Sequence, residues 1–134
     1  MRTVSTDVLQ QILEEVNGRG GFRASLFATG DGLVLASARN PSINEKVVAA
    51  MGSLLADAAE KAKDEINLSD MLSVKIVYKD GCLLCRQIII GSTGFLLAVL
   101  TEPPVGEDYE RYNDQLLTWA VENAQNPLKE LASL

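Results

Sequence analysis

Three glycine-bearing turns constrain this chain more than any other feature. Gly30-Asp31-Gly32, Asp80-Gly81 and Gly91-Ser92-Thr93-Gly94 each lie between two runs of strand length. Glycine there supplies the positive φ values that tight hairpins need. Strands joined by hairpins run antiparallel. The runs span 22–29, 33–37, 71–79, 82–90 and 95–100. Within 71–79, Leu72, Val74, Ile76 and Tyr78 alternate with Ser73, Lys75, Val77 and Lys79. A period of two is the mark of a half-buried strand.

Elsewhere the apolar spacing changes to three and four. Val8, Leu9, Ile12, Leu13 and Val16 follow the cap candidates Ser5-Thr6-Asp7 and predict a helix over about 6–17, stopped by Asn17-Gly18 and Gly20-Gly21. Asn40-Pro41-Ser42 breaks the chain and offers a cap for the longest helix, about 43–66. Pro103-Pro104 ends the last strand, and Tyr109, Tyr112, Leu116, Trp119 and Ala120 mark a third helix over about 107–124. The order is α-β-β-α-β-β-β-α, which predicts an α+β domain: an antiparallel sheet with helices on its faces. One domain is expected over 1–126. Pro127 then separates a short tail, 127–134, in which Leu128, Leu131 and Leu134 fold back, clip onto a partner or fray.

Composition removes most chemistries. The chain of 134 residues suits a single domain that needs no disulfide or metal staple. It has no histidine, which excludes Ser-His-Asp and Cys-His catalysis, His-ligated zinc and an imidazole switch. Its net charge of −6 has the wrong sign for nucleic acid or an anionic membrane surface. Residues 1–16 are amphipathic and charged, unlike a leader, and no apolar run approaches a membrane span, so a soluble cytoplasmic protein is expected. Cys82-Leu83-Leu84-Cys85 sits in a predicted strand, where residues three apart point to opposite faces, so the pair reads as two small hydrophobes. Gly18, Gly20 and Gly21 follow a helix and precede a strand, the reverse of a phosphate loop. The acidic pairs Glu14-Glu15 and Glu107-Asp108 fall on polar helix faces. No catalytic residue, cofactor or metal ligand is expected.

The second helix carries the functional signal. At 100° per residue, Val47, Val48, Met51, Leu54, Leu55, Ala58, Ala59, Ala62 and Ile66 fill an arc of roughly 180°, wider than one sheet contact needs. Either the helix is well buried in its own domain or it packs against another subunit. Ala49, Gly52 and Ala56 form a strip of small residues beside that arc. Mid-helix, Gly52 costs on the order of 1 kcal/mol relative to alanine, which implies a close approach there. Strand 71–79 carries Lys75 and Lys79 with Val77 on their face. Such charges block an edge, yet a strand of this length also suits pairing with its twin across a two-fold axis.

Ala28-Thr29-Gly30-Asp31-Gly32-Leu33-Val34-Leu35-Ala36-Ser37 resembles the hairpin of the Roadblock/dynein light-chain family, and the run at 48–55 is similar to that family's central helix. Lys79-Asp80-Gly81 and the strand at 95–100 fit as well, so the resemblance covers about residues 5–124. It implies a five-stranded antiparallel sheet with helix 2 on one face and the outer helices on the other, a layering related to profilin and longin domains. It further implies a homodimer through helix 2 and the following strand, and a non-enzymatic regulator or scaffold of a small Ras-like GTPase. A dynein light-chain-like adaptor is the alternative, and a small-molecule sensor a third. Carried over, Val47, Val48, Met51, Leu55 and Ala59 would serve the dimer core. Ser73, Lys75 and Val77 would line the paired edge, and Ala49, Gly52 and Ala56 would form the GTPase platform. Nothing marks Arg23, Arg39, Arg86 or Arg111 as an arginine finger.

Overall fold

The computed structural model describes residues 3–40, 42–103 and 106–134. Its elements are α1 (Val4–Gly20), β1 (Ala24–Thr29), β2 (Val34–Arg39), α2 (Glu45–Ala62), β3 (Ser73–Tyr78), β4 (Gly81–Ile90), β5 (Thr93–Thr101) and α3 (Glu107–Ala132). The strands form one antiparallel sheet in the order β2-β1-β5-β4-β3. Turn-linked neighbours pair as hairpins, and β5 inserts between β1 and β4, which leaves β2 and β3 as the two edges. The expected element order and layering are those observed.

α1 and α3 cover one face. Leu9, Leu13 and Val16 of α1 meet Leu116, Leu117, Ala120 and Ala124 of α3 above Phe27, Leu97 and Val99 of the sheet. α2 covers the other face with a smaller cluster, in which Ala49 joins Leu26, Ala28, Leu83, Cys85 and Ala98. The two layers are therefore unequal, and the helix suspected of a second contact is the one with the thinner core beneath it.

Several helix ends depart from the sequence reading. α1 starts two residues earlier, because Thr3 and Thr6 form a capping box: Thr6 N donates to Thr3 Oγ1 at 3.1 Å and Thr3 N to Thr6 Oγ1 at 2.8 Å. It also runs through Asn17-Gly18 to a left-handed cap at Gly21, φ 63°. Gly20 is required there for space, since a Cβ would lie 2.4 Å from Phe22 Cζ. α2 is capped by Asn44, whose side chain accepts from Lys46 N, and stops at Ala62. The chain then turns through Asn67, φ 57°, and Lys63 ties the turn down by bonding Glu60 and Asp70 at 2.6 and 2.9 Å. Pro41 and Pro104, two of the expected breakers, lie outside the described residues.

The expected tail is a correction. α3 continues through Pro127 to Ala132, and Pro127 and Leu128 are both buried. Leu128 and Leu131 pack on the α1–α3 core, and Ser5 Oγ donates to Glu130 Oε2 at 2.6 Å. A proline removes one helical hydrogen bond. The leucines it carries onto the core outweigh that loss.

Candidate interaction surface

The strip of small residues faces inward. Ala49 is 1% exposed, Gly52 is buried and Ala56 is half-buried. A Cβ on Gly52 would sit 3.4 Å from Leu96 Cδ1 and 3.6 Å from Cys85 Sγ, so this is where α2 comes closest to its own sheet. The expected platform of Ala49, Gly52 and Ala56 is therefore corrected: its middle is the underside of the helix. Small residues do mark a close approach, but to the domain's own strands.

The apolar arc extends well past that underside. Val48 and Met51 lie at its flank, half-buried against the smaller core, and Leu55 and Ala59 are half-buried beside them. Further round, Val47 is 52% and Leu54 70% exposed, and Ala58 is exposed too. The connector and β3 add Ile66, Leu68, Leu72 and Tyr78, all exposed, while Val77 is exposed on the opposite, α3 side of the sheet. Of these, Leu68 escaped the sequence reading, and Leu72 and Tyr78 entered it only through the alternation of strand 71–79. Leu72 and Tyr78 occupy the positions that alternation assigns inward, and among the described residues no helix buries them.

The β3 edge is open. Gln87 N donates to Leu72 O at 3.0 Å, so by alternation Leu72, Val74, Ile76 and Tyr78 direct their backbone groups to β4. Ser73, Lys75 and Val77 turn theirs outward, and among the described residues no side chain caps them. The opposite edge differs. Asn40 N bonds Arg23 O, which sets Ser37 outward on β2, and Ser37 N donates to Gln10 Oε1 of α1 at 3.2 Å. Ser37 Oγ also bonds Glu45 of α2.

On the α3 side of β3 and β4 lies a groove of about 350 Å³. Leu84 and Leu117 line it alongside Ser73, Lys75, Thr101, Tyr109 and Asn113. Two ion pairs cross it: Lys75 Nζ donates to Glu110, and Arg86 to Asp114. Asn113 is 4% exposed, and its Oδ1 has no partner. Glu110 raises the Lys75 ammonium pKa, chiefly through their hydrogen bond. Among the described side chains, Arg23 bonds Glu102 at 2.7 Å and Asp80 O at 2.6 Å, and Arg111 bonds Asp108 at 3.4 Å.

The cysteines divide as their spacing predicts. Cys82 pairs with Val77 and lines the groove, whereas Cys85 pairs with Val74 and joins the α2-side cluster. Burial pushes the Cys85 thiol up to about 11, which leaves it protonated and unreactive at neutral pH. Among the described residues no group of three or more His, Cys, Asp or Glu is placed to hold a metal. None of the described helices is long and apolar enough to cross a membrane.

No protein-family model matches the chain. It is 30% identical over 98 residues to the uncharacterised protein MJ0714 of Methanocaldococcus jannaschii, spanning 73% of this chain and 80% of that one. The Roadblock/LC7 domain from Streptomyces avermitilis superposes with a TM-score of 0.76 at 18% identity, over 89% of this chain and 96% of that one. This chain belongs to the family of MJ0714 and has the Roadblock/LC7 fold. MglB of Myxococcus xanthus shares that fold, with a TM-score of 0.74 at 13% identity over 99% of this Roadblock chain and 93% of MglB.

Proposed function

We propose that this Roadblock-fold chain is a homodimeric, non-catalytic regulator or scaffold of a small Ras-like GTPase. The observation that carries the reading is the set of exposed apolar side chains on α2 and β3, beside an uncapped β3 edge. A monomer that leaves Val47, Leu54, Leu72 and Val77 in water has a face suited to another protein. In the dimer, Val47, Val48, Met51, Leu55 and Ala59 of α2 pack against a second copy, and Ser73, Lys75 and Val77 supply the paired edge. The GTPase then meets the outermost α2 positions, Leu54 and Ala58, in place of the buried strip. With no catalytic group to contribute, the dimer acts by binding one nucleotide state of its partner more tightly than the other. Fold likeness to MglB, a gliding protein in its Thermus thermophilus form, supports the reading.

Sedimentation at micromolar concentration tests the dimer: the expected mass is twice 14.5 kDa, and a monomer refutes it. Binding to purified small GTPases loaded with GDP or a GTP analogue tests the partner. Leu54→Asp is expected to abolish that binding and leave the dimer intact. State-selective binding with altered hydrolysis or exchange supports a regulator, and binding with no rate effect supports the adaptor. The groove favours a second reading as a sensor, because its volume lies within the range of small-ligand pockets and Asn113, whose buried Oδ1 has no partner among the described residues, lines it. A rise in melting temperature with small metabolites, absent from Asn113→Leu, is the signature of that reading.

A further inference from the structure

We propose that the groove between α3 and the β3–β4–β5 part of the sheet binds a small uncharged molecule of the carboxamide class, with an apolar body and an N–H donor. The proposal rests on the sensor reading above and names the ligand that reading leaves open. It does not depend on the homodimer.

The site begins at Asn113. Along α3 the buried stripe runs through Leu116, Leu117, Ala120 and Ala124, all apolar. Asn113 stands one turn before that run and is 4% exposed, a position where a leucine would extend the core. Its Oδ1 is bonded by no described residue. A buried amide left unpaired destabilises a fold, so its presence calls for a cause. Rotation about the terminal torsion of an asparagine is broad and nearly two-fold, so either end of the amide can turn to the groove that Asn113 lines. Thr101 of β5 also lines it and is 2% exposed. Its hydroxyl donates to Glu102 O at 2.8 Å, which leaves an oxygen lone pair as what it can offer a ligand. Two buried oxygens are thus open to a donor. An asparagine amide presents C=O and N–H side by side, and the edge that matches it is another amide.

The charge of the ligand follows from the rim. Lys75 bonds Glu110, Arg86 bonds Asp114, and Arg111 bonds Asp108 at 3.4 Å. Every cation lining the groove already has a carboxylate, and the two lining carboxylates already have their cations. A charged ligand would have to break one of these pairs or lie desolvated against Leu84 and Leu117 without a counter-ion. A neutral one does neither. The two leucines supply an apolar wall, and a volume of about 350 Å³ sits at the small end of the ligand range.

Four probes sharing one phenyl ring separate these features: benzamide, benzoate, benzamidine and acetophenone. They are titrated into the full ¹⁵N-labelled chain and followed by amide chemical shifts. Benzamide is expected to shift the Asn113 side-chain amide and the backbone amides of Leu84, Thr101 and Leu117 saturably, with a Kd of about 1 mM. Benzoate and benzamidine bring a charge, and acetophenone lacks the donor; each is expected to bind roughly ten-fold more weakly or worse. Asn113→Leu is expected to weaken benzamide by a similar factor and to raise the melting temperature of the free protein, because it removes an unpaired buried amide. Should the leucine prove too large to fold, Asn113→Ala reads the same loss of binding. Benzoate or benzamidine binding the groove in place of benzamide overturns the ligand class and leaves the sensor reading standing. Benzamide binding Asn113→Leu or Asn113→Ala as tightly as the parent overturns the role of Asn113. A groove that holds water alone leaves its amides unmoved by all four probes, and that result removes the site and the sensor reading together.

Discussion

Leu128→Ala asks whether the chain beyond Pro127 belongs to the folded core. Leu128 is 0% exposed and packs among the α1 and α3 side chains. Truncating a leucine so placed loses its transfer free energy and leaves a cavity, which together cost about 2–5 kcal/mol. Pro127 stiffens the backbone before it and limits collapse into the hole, so about 3 kcal/mol is expected. Unfolding entropy of about 2.1 cal/mol/K per residue over 134 residues gives about 0.28 kcal/mol/K, so the midpoint falls by about 11 °C. Two neighbours calibrate the result. Leu131 is half-buried, and Leu131→Ala is expected to cost about 1 kcal/mol. Leu134 is 90% exposed, and Leu134→Ala is expected to cost nothing measurable. Urea unfolding at one fixed protein concentration measures all three and keeps any dimer linkage constant. Three indistinguishable midpoints would show that residues 127–134 fray, and the account of α3 given above would fail.

Other substitutions probe the remaining features. Gly52→Ala is expected to match or exceed the parent in stability by up to about 1 kcal/mol, because its Cβ meets Leu96 and Cys85 at ordinary contact distance while the helix gains propensity. Gly52→Arg is expected to unfold the domain by burying a charge on the sheet, and a cooperative native-like urea transition for it would put α2 the other way up. Cys85 is expected to resist iodoacetamide at pH 8 in the native state and to react in urea; fast native labelling would contradict its burial and its raised pKa. Arg23 holds the Glu102 carboxylate below its ordinary range, first through their hydrogen bond. A lowered folded pKa adds stability above the unfolded value near pH 4.3, and that stability is lost as pH falls through the folded pKa. The advantage of the parent over Glu102→Gln should therefore be present at pH 6 and shrink as pH falls below the unfolded value; an advantage that grows on acidification reverses the argument.

The hairpin turns and the two periodicities revealed the elements, their order and the antiparallel sheet, because each depends on near neighbours in the chain. The β3 edge was legible for the same reason: the alternation of Lys75 and Val77 with apolar residues is local. The facing of α2 was not. A helical projection locates an apolar arc but cannot say which sector meets the helix's own sheet. That was decided by Leu96 and Cys85, more than thirty residues away in sequence. The helix ends failed for a related reason. Gly18 and Gly20 looked like stops until the Phe22 ring packed over Gly20, and Pro127 looked like a boundary until Leu128 was buried. Asn113, Glu110 and the groove between α3 and β3 left no trace in the sequence, since they are brought together by tertiary contact alone.

A sheet free to accept strands along both margins propagates without limit, as fibrils do. Here Gln10 occupies the middle of one margin, and one remains vacant. In the dimer proposed above, two copies joined through the vacant side would present the Gln10-bonded strand at either outer end. Under the proposed pairing, a glutamine on the first helix would guard the outer margins, remote from the contact that joins the copies.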